Sequence, residues 1–132
     1  MAKIMVAASP EPRAALERIL TGHDLWCAET MEQAEQFLRG GTFDLIICTI
    51  VFDESKLFDL LRLAKSRPEW QGIPFVGARV RAHILRSPSV LEAAAFTCRE
   101  LGAETFLDIA KYEVDPEREM RAAIEEVLDR SP

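Results

Sequence analysis

Three groups of side chains in this sequence have types and spacing that suit chemistry, and the first is a basic run at residues 77–86. Its members are three arginines and a histidine with no acid among them: Arg79, Arg81, His83 and Arg86. Guanidinium groups bind carboxylates and phosphates through paired hydrogen bonds, so the run is typical of an anion site or of a contact with an acidic partner. A solvated loop whose arginines pair with Asp53, Glu54 or Asp108 explains the same composition.

The second group is an acidic pair, Asp53 and Glu54, which follows the apolar run at residues 45–51. Two carboxylates there suit a divalent cation, whereas a solvated pair at a helix N-terminus is the simpler interpretation because the helix dipole favours anions. Thr49 carries a hydroxyl, but no general base or set of metal ligands adjoins it in the sequence. We interpret Thr49 as a small β-forming residue that fills the end of a strand.

The third group is the thiols, and it indicates packing rather than catalysis. Cys27, Cys48 and Cys98 are odd in number, widely spaced and embedded in apolar segments, which favours buried reduced thiols over a disulfide or a metal site. His83 has no second histidine near it to complete a zinc site. Because no Ser-His-Asp or Cys-His spacing is present either, we predict no enzyme activity, no metal and no cofactor.

The central stretch, residues 43–65 (FDLIICTIVFDESKLFDLLRLAK), supplies the elements that position these groups. Residues 45–51 form a short apolar run rich in β-branched side chains, which predicts a strand buried on both faces. A polar break at residues 53–56 follows, and then Leu57, Leu60, Leu61 and Ala64 recur at helical spacing. Strand, loop and helix form half of a βα crossover unit.

The same alternation continues along the whole chain. Four more strands are predicted at residues 3–8, 25–28, 75–78 and 104–109. Helices are expected to begin at Ser9-Pro10, at Thr30 with Gln33, at Ser87-Pro88 or Ser89, and at Asp115-Pro116. The fourth helix carries Val90, Ala94, Cys98 and Leu101. Five strands and five helices predict a doubly wound α/β domain over residues 1–132, with residues 1–2 and 129–132 frayed.

Composition limits the classes of function. The net charge of −6 argues against general nucleic-acid binding, which uses a basic surface. No apolar run approaches the roughly 20 residues that span a membrane, and the N-terminal apolar stretch is too short for a signal peptide. We therefore expect a cytoplasmic protein without membrane or nucleic-acid partners.

Three segments resemble response-regulator receiver domains of the CheY-like type. Residues 43–65 match the third strand and third helix of that family without a gap, residues 102–107 (GAETFL) resemble its fifth strand, and residues 73–76 (IPFV) resemble the opening of its fourth. The resemblance implies a flavodoxin-like parallel sheet in the order 2-1-3-4-5 with five helices.

The resemblance also implies that the phosphorylation chemistry of the family is missing. A receiver needs an acid pair for Mg²⁺, an aspartate nucleophile, a hydroxyl ending strand four and a lysine ending strand five, because transferred phosphoryl charge must be neutralised. The matching positions hold none of these charges: Ala7, Ala8 or Ser9 for the acids, Thr49 for the nucleophile, Gly77, Ala78 or Arg79 for the hydroxyl and Ile109 for the lysine. Lys111 lies two residues after Ile109, the position at which a receiver has its lysine. The chain thus resembles a degenerate receiver, or pseudo-receiver.

We therefore predict a stand-alone, phosphorylation-independent interaction module of two-component signalling. Its expected partner surface is the face of helix four, strand five and helix five, which would also serve a homodimer. The candidate contacts on or near that face are Arg99, Phe106, Asp108, Lys111, Tyr112, Arg118 and Arg121. Phe106 matches the family's switch aromatic and, without a phosphate, is expected to stay in one rotamer.

The alternative is a binder of a small anionic ligand or cofactor on a flavodoxin-like scaffold. The basic run favours it. Against it, Ser9-Pro10-Glu11-Pro12 after the first strand is stiff and contains no glycine-rich phosphate loop.

Overall fold

The computed structural model describes residues 1–81 and 87–130. Its five strands are β1 (Lys3–Ala7), β2 (Asp24–Ala28), β3 (Leu45–Thr49), β4 (Phe75–Arg79) and β5 (Thr105–Asp108). Its five longer helices are α1 (Pro10–Ile19), α2 (Met31–Gly40), α3 (Leu57–Lys65), α4 (Pro88–Glu100) and α5 (Pro116–Arg130). All strand pairs are parallel and the order is β2-β1-β3-β4-β5, so the predicted fold class is confirmed.

The central strand is apolar throughout because both faces of the sheet are covered by helices. All five residues of β3 are buried, and successive side chains enter opposite faces. Ile46 and Cys48 belong to the core that includes Leu60 and Leu61 of α3. Leu45 and Ile47 belong to the second core, which holds the buried stripes of α1 and α5.

Capping side chains mark where the helices begin. Thr30 Oγ1 accepts a hydrogen bond from Gln33 N at 3.2 Å, and Gln33 Oε1 accepts one from Glu29 N at 2.7 Å. Ser87 Oγ accepts from Val90 N at 3.3 Å, so α4 begins at Ser87-Pro88 and not at Ser89. Glycines with positive φ, Gly22 at 98° and Gly102 at 104°, follow the ends of α1 and α4.

Three short segments add to the five predicted helices, and one of them is the 3₁₀ turn Ile109–Lys111. Pro68–Gln71 forms one helical turn that buries Trp70, where a loop was predicted. Phe52–Ser55 contains Asp53, Glu54 and Ser55 with φ of 42°, 58° and 69°, which is left-handed backbone rarely adopted by residues other than glycine. We call this segment the left-handed turn.

Each of the five strands differs from its predicted bounds by one or two residues at one or both ends, and one helix face also differs. β5 ends at Asp108, so Ile109, predicted as its last residue, lies in a 3₁₀ turn. β3 ends at Thr49 rather than at Val51, and β4 extends to Arg79, which therefore belongs to a strand and not to the connection after it. In α4, Ala94 and Cys98 are buried, but Val90, in the first turn of the helix, is 48% exposed. Among the described residues, no helix has the length and apolar character needed to cross a membrane.

Candidate functional site

The carboxyl ends of β1 and β3 meet at the edge of the sheet where α/β folds place their sites. Thr49 ends β3 and is 1% exposed, and its Oγ1 donates a hydrogen bond to Ala7 O at 3.4 Å. Ala7 and Ala8 are buried beside it, while Ser9 is half-buried at the start of α1. The positions that resemble the phosphoacceptor and the acid pair therefore lie together, but Thr49 and Ala7 are joined there by a buried hydrogen bond.

The acidic pair lies on the left-handed turn just beyond this edge. Asp53 Oδ2 accepts a hydrogen bond from Met31 N at 2.9 Å, and its Oδ1 lies 3.6 Å from Lys56 Nζ. The helix N-terminus that Asp53 serves is therefore that of α2, and not that of the helix following it in sequence. Glu54 is exposed. The described residues contain no group of three or more His, Cys, Asp or Glu side chains able to hold a metal ion.

The ends of β4 and β5 are joined by a buried ion pair. Arg79 and Asp108 are neighbours in the strand register, with Arg79 Nε 2.9 Å from Asp108 Oδ1 and Nη2 3.1 Å from Oδ2. The two residues are 8% and 7% exposed. Asp108 Oδ1 also accepts from Ala110 N at 3.1 Å. Both side chains were predicted as partner contacts, but their charges face each other inside the domain.

The rest of the basic run separates into different environments. Arg81 Nη2 lies 2.8 Å from Glu11 Oε1 and so links the end of β4 to α1. His83 and Arg86 lie outside the described residues. Arg79 and Arg81, the two cations of the run that the structure describes, are therefore both paired with acids. The interpretation of the run as a solvated loop expects such pairs, but it does not expect Arg79 to be buried.

Phe106 lies inward, over a glycine. It is 9% exposed and faces Gly77 in the register of β4 and β5. A Cβ at Gly77 would lie 2.8 Å from Phe106 Cδ2 and 3.1 Å from Cys98 Sγ, so the ring occupies the space that a side chain at position 77 would need.

The remaining positions that resemble the switch hydroxyl and the lysine of a receiver are apolar. Ala78, next to Gly77 in β4, is buried, and Ile109 is buried in the α1–α5 core. Lys111 is exposed in a 3₁₀ turn.

Two of the three thiols are protected by the core. Burial raises the pKa of Cys98 to about 11. Burial, with a smaller contribution from Cys98, raises the pKa of Cys48 well above its ordinary value of 9.0. Both thiols are therefore neutral at physiological pH, and thiolate chemistry is disfavoured there. Cys48 and Cys98 are buried as predicted, whereas Cys27 is only half-buried.

A groove of about 470 Å³ runs between α4 and β5, and we call it the α4–β5 groove. Its lining is half apolar and half polar and includes Leu91, Glu92, Ala95, Phe96, Arg99 and Lys111. Phe96 is 64% exposed, and it was missed by the sequence analysis because only the inward stripe of the helix was sought. The predicted contacts Arg99 and Lys111 line this groove.

The predicted contacts on α5 have unequal roles. Arg118 is exposed. Arg121 Nη1 donates to Ile19 O at 3.0 Å and to Thr21 O at 2.7 Å, so it binds the carboxyl end of α1 and is not free for a partner. Tyr112 is half-buried, and burial, with smaller effects of Glu119 and Asp108, raises the pKa of its hydroxyl.

Two further cavities flank these elements. An apolar one of about 320 Å³ lies between α3 and α4, and the described residues that line it, among them Ile50, Leu57, Phe58 and Val90, are uncharged. An open one of about 660 Å³ lies between the strand ends and α5, where Arg18 pairs with Glu117 at 2.9 Å and Arg81 pairs with Glu11. The cations of the larger cavity are each matched by an acid, which does not favour an anionic ligand.

Comparison with known proteins finds similarity at the level of structure. Neither a known family profile nor a curated protein sequence matches the chain. A protein assigned as a response regulator, from Chloroflexus aurantiacus, superimposes with a TM-score of 0.77 at 18% identity, covering 98% of both chains.

Two further crystal structures agree. The receiver domain of a signal transduction histidine kinase from Syntrophus aciditrophicus has a TM-score of 0.75 at 23% identity, covering 98% of this chain and 91% of its own. The Mn²⁺-bound form of response regulator Rcp1 has a TM-score of 0.72 at 16% identity, covering 96% and 93%. The fold of this chain is therefore the five-stranded receiver fold of response regulators.

Proposed function

We propose that the chain is a signalling module of the receiver fold that acts by binding protein partners and does not need to be phosphorylated. One observation carries the proposal. At the position that resembles the phosphoacceptor, Thr49 is buried and its hydroxyl is hydrogen-bonded to the carbonyl of Ala7, with alanines where a receiver has acids.

Phosphoryl transfer at this edge would lack the groups that neutralise its charge. A hard divalent cation prefers carboxylate oxygens, and Ala7 and Ala8 supply none. The nearest acid on the turn, Asp53, already accepts from Met31 N and lies beside the Lys56 ammonium. These residues do not fit the Mg²⁺ that receiver chemistry uses, although the similar fold of Rcp1 is known with Mn²⁺. We assign no catalytic step to the chain.

The ends of β4 and β5 support a domain held in one conformation. Arg79 occupies one of the candidate positions for the switch hydroxyl, and its guanidinium is hydrogen-bonded to the Asp108 carboxylate. A buried ion pair therefore joins the ends of β4 and β5 at the place where a receiver has a small, mobile hydroxyl side chain. Phe106 is packed over Gly77. NMR relaxation dispersion at Phe106 is expected to show no exchange; two exchanging states would contradict a fixed ring.

The partner surface proposed is the face of α4, β5 and α5. Arg99, Lys111 and Arg118 are exposed there, and none forms an ion pair within the part of the chain that the structure describes. Phe96 supplies an exposed aromatic ring among them. Aromatic and cationic side chains of this kind are common anchors of protein interfaces.

Intact-mass spectrometry tests the chemical half of the proposal. The protein is incubated with Mg²⁺ and acetyl phosphate next to a receiver with an intact acceptor, and we expect added mass only in the control. An acid-labile phosphate adduct on this chain would overturn the proposal.

A pull-down from the native cytoplasm tests the binding half. We expect the double variant Lys111→Glu/Arg118→Glu to lose captured partners, and Arg62→Glu, a matched exposed change on α3, to retain them. Capture that is equal in all three proteins would place the interface elsewhere.

A further inference from the structure

An apolar cavity between α3 and α4 leaves part of the core-facing side of α4 open to solvent. Ile50, Leu57 and Ala94 line the cavity and are 9%, 2% and 6% exposed. Val90 lines it too and is 48% exposed, although its spacing from Ala94 and Cys98 puts it on the buried side of α4. We call this space the α3–α4 cavity.

The α3–α4 cavity has the size of a small-molecule site. Its volume of about 320 Å³ lies at the lower end of the range of roughly 300–1,000 Å³ found for ligand pockets. At ~30 Å³ each, about ten water molecules would fill it. Water is released favourably from apolar walls when an apolar molecule takes its place, so the cavity suits a ligand of one or two rings.

The chemistry of the lining disfavours a charged ligand. The described residues that line the α3–α4 cavity are all uncharged, whereas the α4–β5 groove on the other side of α4 holds Glu92, Arg99 and Lys111. A carboxylate or an ammonium that entered the cavity would lose hydration and meet no opposite charge. We therefore expect an uncharged ligand there.

Two hydroxyl groups provide the polar contacts of the cavity. Ser55 lines it from the left-handed turn and Thr97 from α4, and neither hydroxyl forms a hydrogen bond within residues 1–81 and 87–130. A hydroxyl can donate to a carbonyl oxygen or accept from another hydroxyl, so the two side chains suit a ligand that carries one such oxygen. Apolar walls with a small number of placed polar groups are the usual composition of a ligand pocket.

The backbone that carries Ser55 is strained and is held in place. Ser55, with φ of 69°, is the last of three consecutive residues with positive φ in the left-handed turn. The turn is anchored by Asp53, whose carboxylate accepts from Met31 N and whose carbonyl accepts from Lys56 Nζ at 3.2 Å. Left-handed backbone outside glycine is costly and clusters at functional sites, which supports a preformed wall at this end of the cavity.

We propose that the α3–α4 cavity binds a small uncharged molecule, an aromatic or alicyclic ring system that carries a carbonyl or hydroxyl oxygen. The rings lie against Leu57 and Val90, and the hydroxyls of Ser55 and Thr97 bind the oxygen. The site is separate from the proposed partner surface, because the residues of α4 that line the cavity lie on the opposite side of the helix from Phe96.

Titration of the parent protein with two matched probes tests the preference for an uncharged ligand. The probes are 2-acetonaphthone, which is uncharged, and 2-naphthoate, which has the same two rings with a carboxylate in place of the acetyl group. We expect 2-acetonaphthone to shift the ¹H–¹⁵N signals of residues 55–58 and 90–97, with a Kd below about 1 mM. 2-Naphthoate should bind at least about tenfold more weakly. No binding of 2-acetonaphthone, or equal binding of the two probes, would overturn the proposal.

Variants test where 2-acetonaphthone binds. Val90→Trp should fill the cavity and raise Kd by roughly tenfold or more. Val114→Trp is the same change at a residue that is 91% exposed and outside the cavity, and it should leave Kd within about threefold of the parent. Thr97→Val removes a hydroxyl at nearly constant shape and should raise Kd by about threefold to tenfold, whereas Thr97→Ser should bind as the parent does.

Binding that is unchanged in Val90→Trp would overturn the site, and binding that is unchanged in Thr97→Val would overturn the role of the hydroxyl. Urea unfolding shows whether both tryptophan variants are folded. The comparison of the two probes needs no variant and therefore decides the proposal even if Val90→Trp does not fold. None of these results would change the proposed function, which is tested by phosphate adducts and by partner capture.

Discussion

Replacing Arg79 with methionine should cost more stability than any change on the surface of this domain. The variant leaves the Asp108 carboxylate 7% exposed, with Ala110 N–H as its remaining hydrogen-bond donor among the described residues. Removing one member of a buried pair typically costs about 3–5 kcal/mol because the other charge stays buried without compensation. For 132 residues the unfolding entropy is about 0.28 kcal/mol/K, so Tm should fall by roughly 10–18 °C.

The second half of the experiment removes the charge that the first half leaves behind. Asp108→Asn keeps the shape and one acceptor oxygen, so Arg79→Met/Asp108→Asn should recover much of the lost stability. Urea unfolding of the parent, both single variants and the double variant gives the coupling energy, which we expect to be about 2 kcal/mol or more. Arg62→Met, at an exposed arginine on α3, serves as the control and should change the unfolding free energy by less than about 0.5 kcal/mol.

A loss of less than about 1 kcal/mol in Arg79→Met would refute this reasoning. It would mean that water reaches Asp108 in the native state and that the pair behaves as a surface ion pair. The fixed arrangement of the β4 and β5 ends would then lose its main support.

Four further outcomes are expected, each measured by urea unfolding. Gly77→Ala should destabilise by about 1–3 kcal/mol because its Cβ would lie 2.8 Å from Phe106 Cδ2, and adding Phe106→Leu should relieve part of that loss. Burial raises the pKa of Cys98 from 9.0 to about 11, so as the pH rises the unfolded chain loses this proton before the folded chain does. The free energy of unfolding should therefore decline between pH 9 and pH 11, and Cys98→Ala should make that decline less steep. Glu54→Gly should stabilise by up to about 1 kcal/mol, since its φ of 58° suits glycine; a loss would contradict the left-handed turn. Arg121→Ala should cost about 1–2 kcal/mol through the lost bonds to Ile19 O and Thr21 O, and no change would show that they are solvated.

The alternation of apolar runs and helical stripes was sufficient to predict a doubly wound α/β domain, while the strand order came from the resemblance to receivers. The buried face of every helix could not be predicted in this way. β3 was predictable because a strand buried on both faces must be apolar throughout. The inward stripe of α4 was predicted too broadly, since Val90 has the same helical spacing as Ala94 and Cys98 but is 48% exposed. Apolar periodicity locates the buried face of a helix to within about one residue position on the helical wheel. Which residues of that face are buried depends on the shape of the element that packs against it.

Long-range contacts explain what the sequence could not predict at the site. The left-handed backbone at Asp53 accompanies a contact distant in sequence: its carboxylate accepts a hydrogen bond from Met31 N, 22 residues earlier in the chain, and thereby caps α2. Arg79 looked like the start of a connection, and it becomes a strand residue through Asp108, 29 residues away. Such pairs depend on which strand ends are adjacent, and that is a property of the folded sheet.

At the edge of the sheet where a receiver would hold a phosphate, the buried polar side chains of this chain are already hydrogen-bonded within the domain. Thr49 is bonded to Ala7 O and Arg79 to Asp108, while Ile109 is packed in the core. Within the described residues, every buried side-chain nitrogen or oxygen has a hydrogen-bond partner. An ion or a phosphoryl group entering there would have to break one of these contacts before forming its own. Within the described part of the chain, Arg99 and Glu92 of α4 are exposed charges that form no ion pair, and they lie on the proposed partner surface.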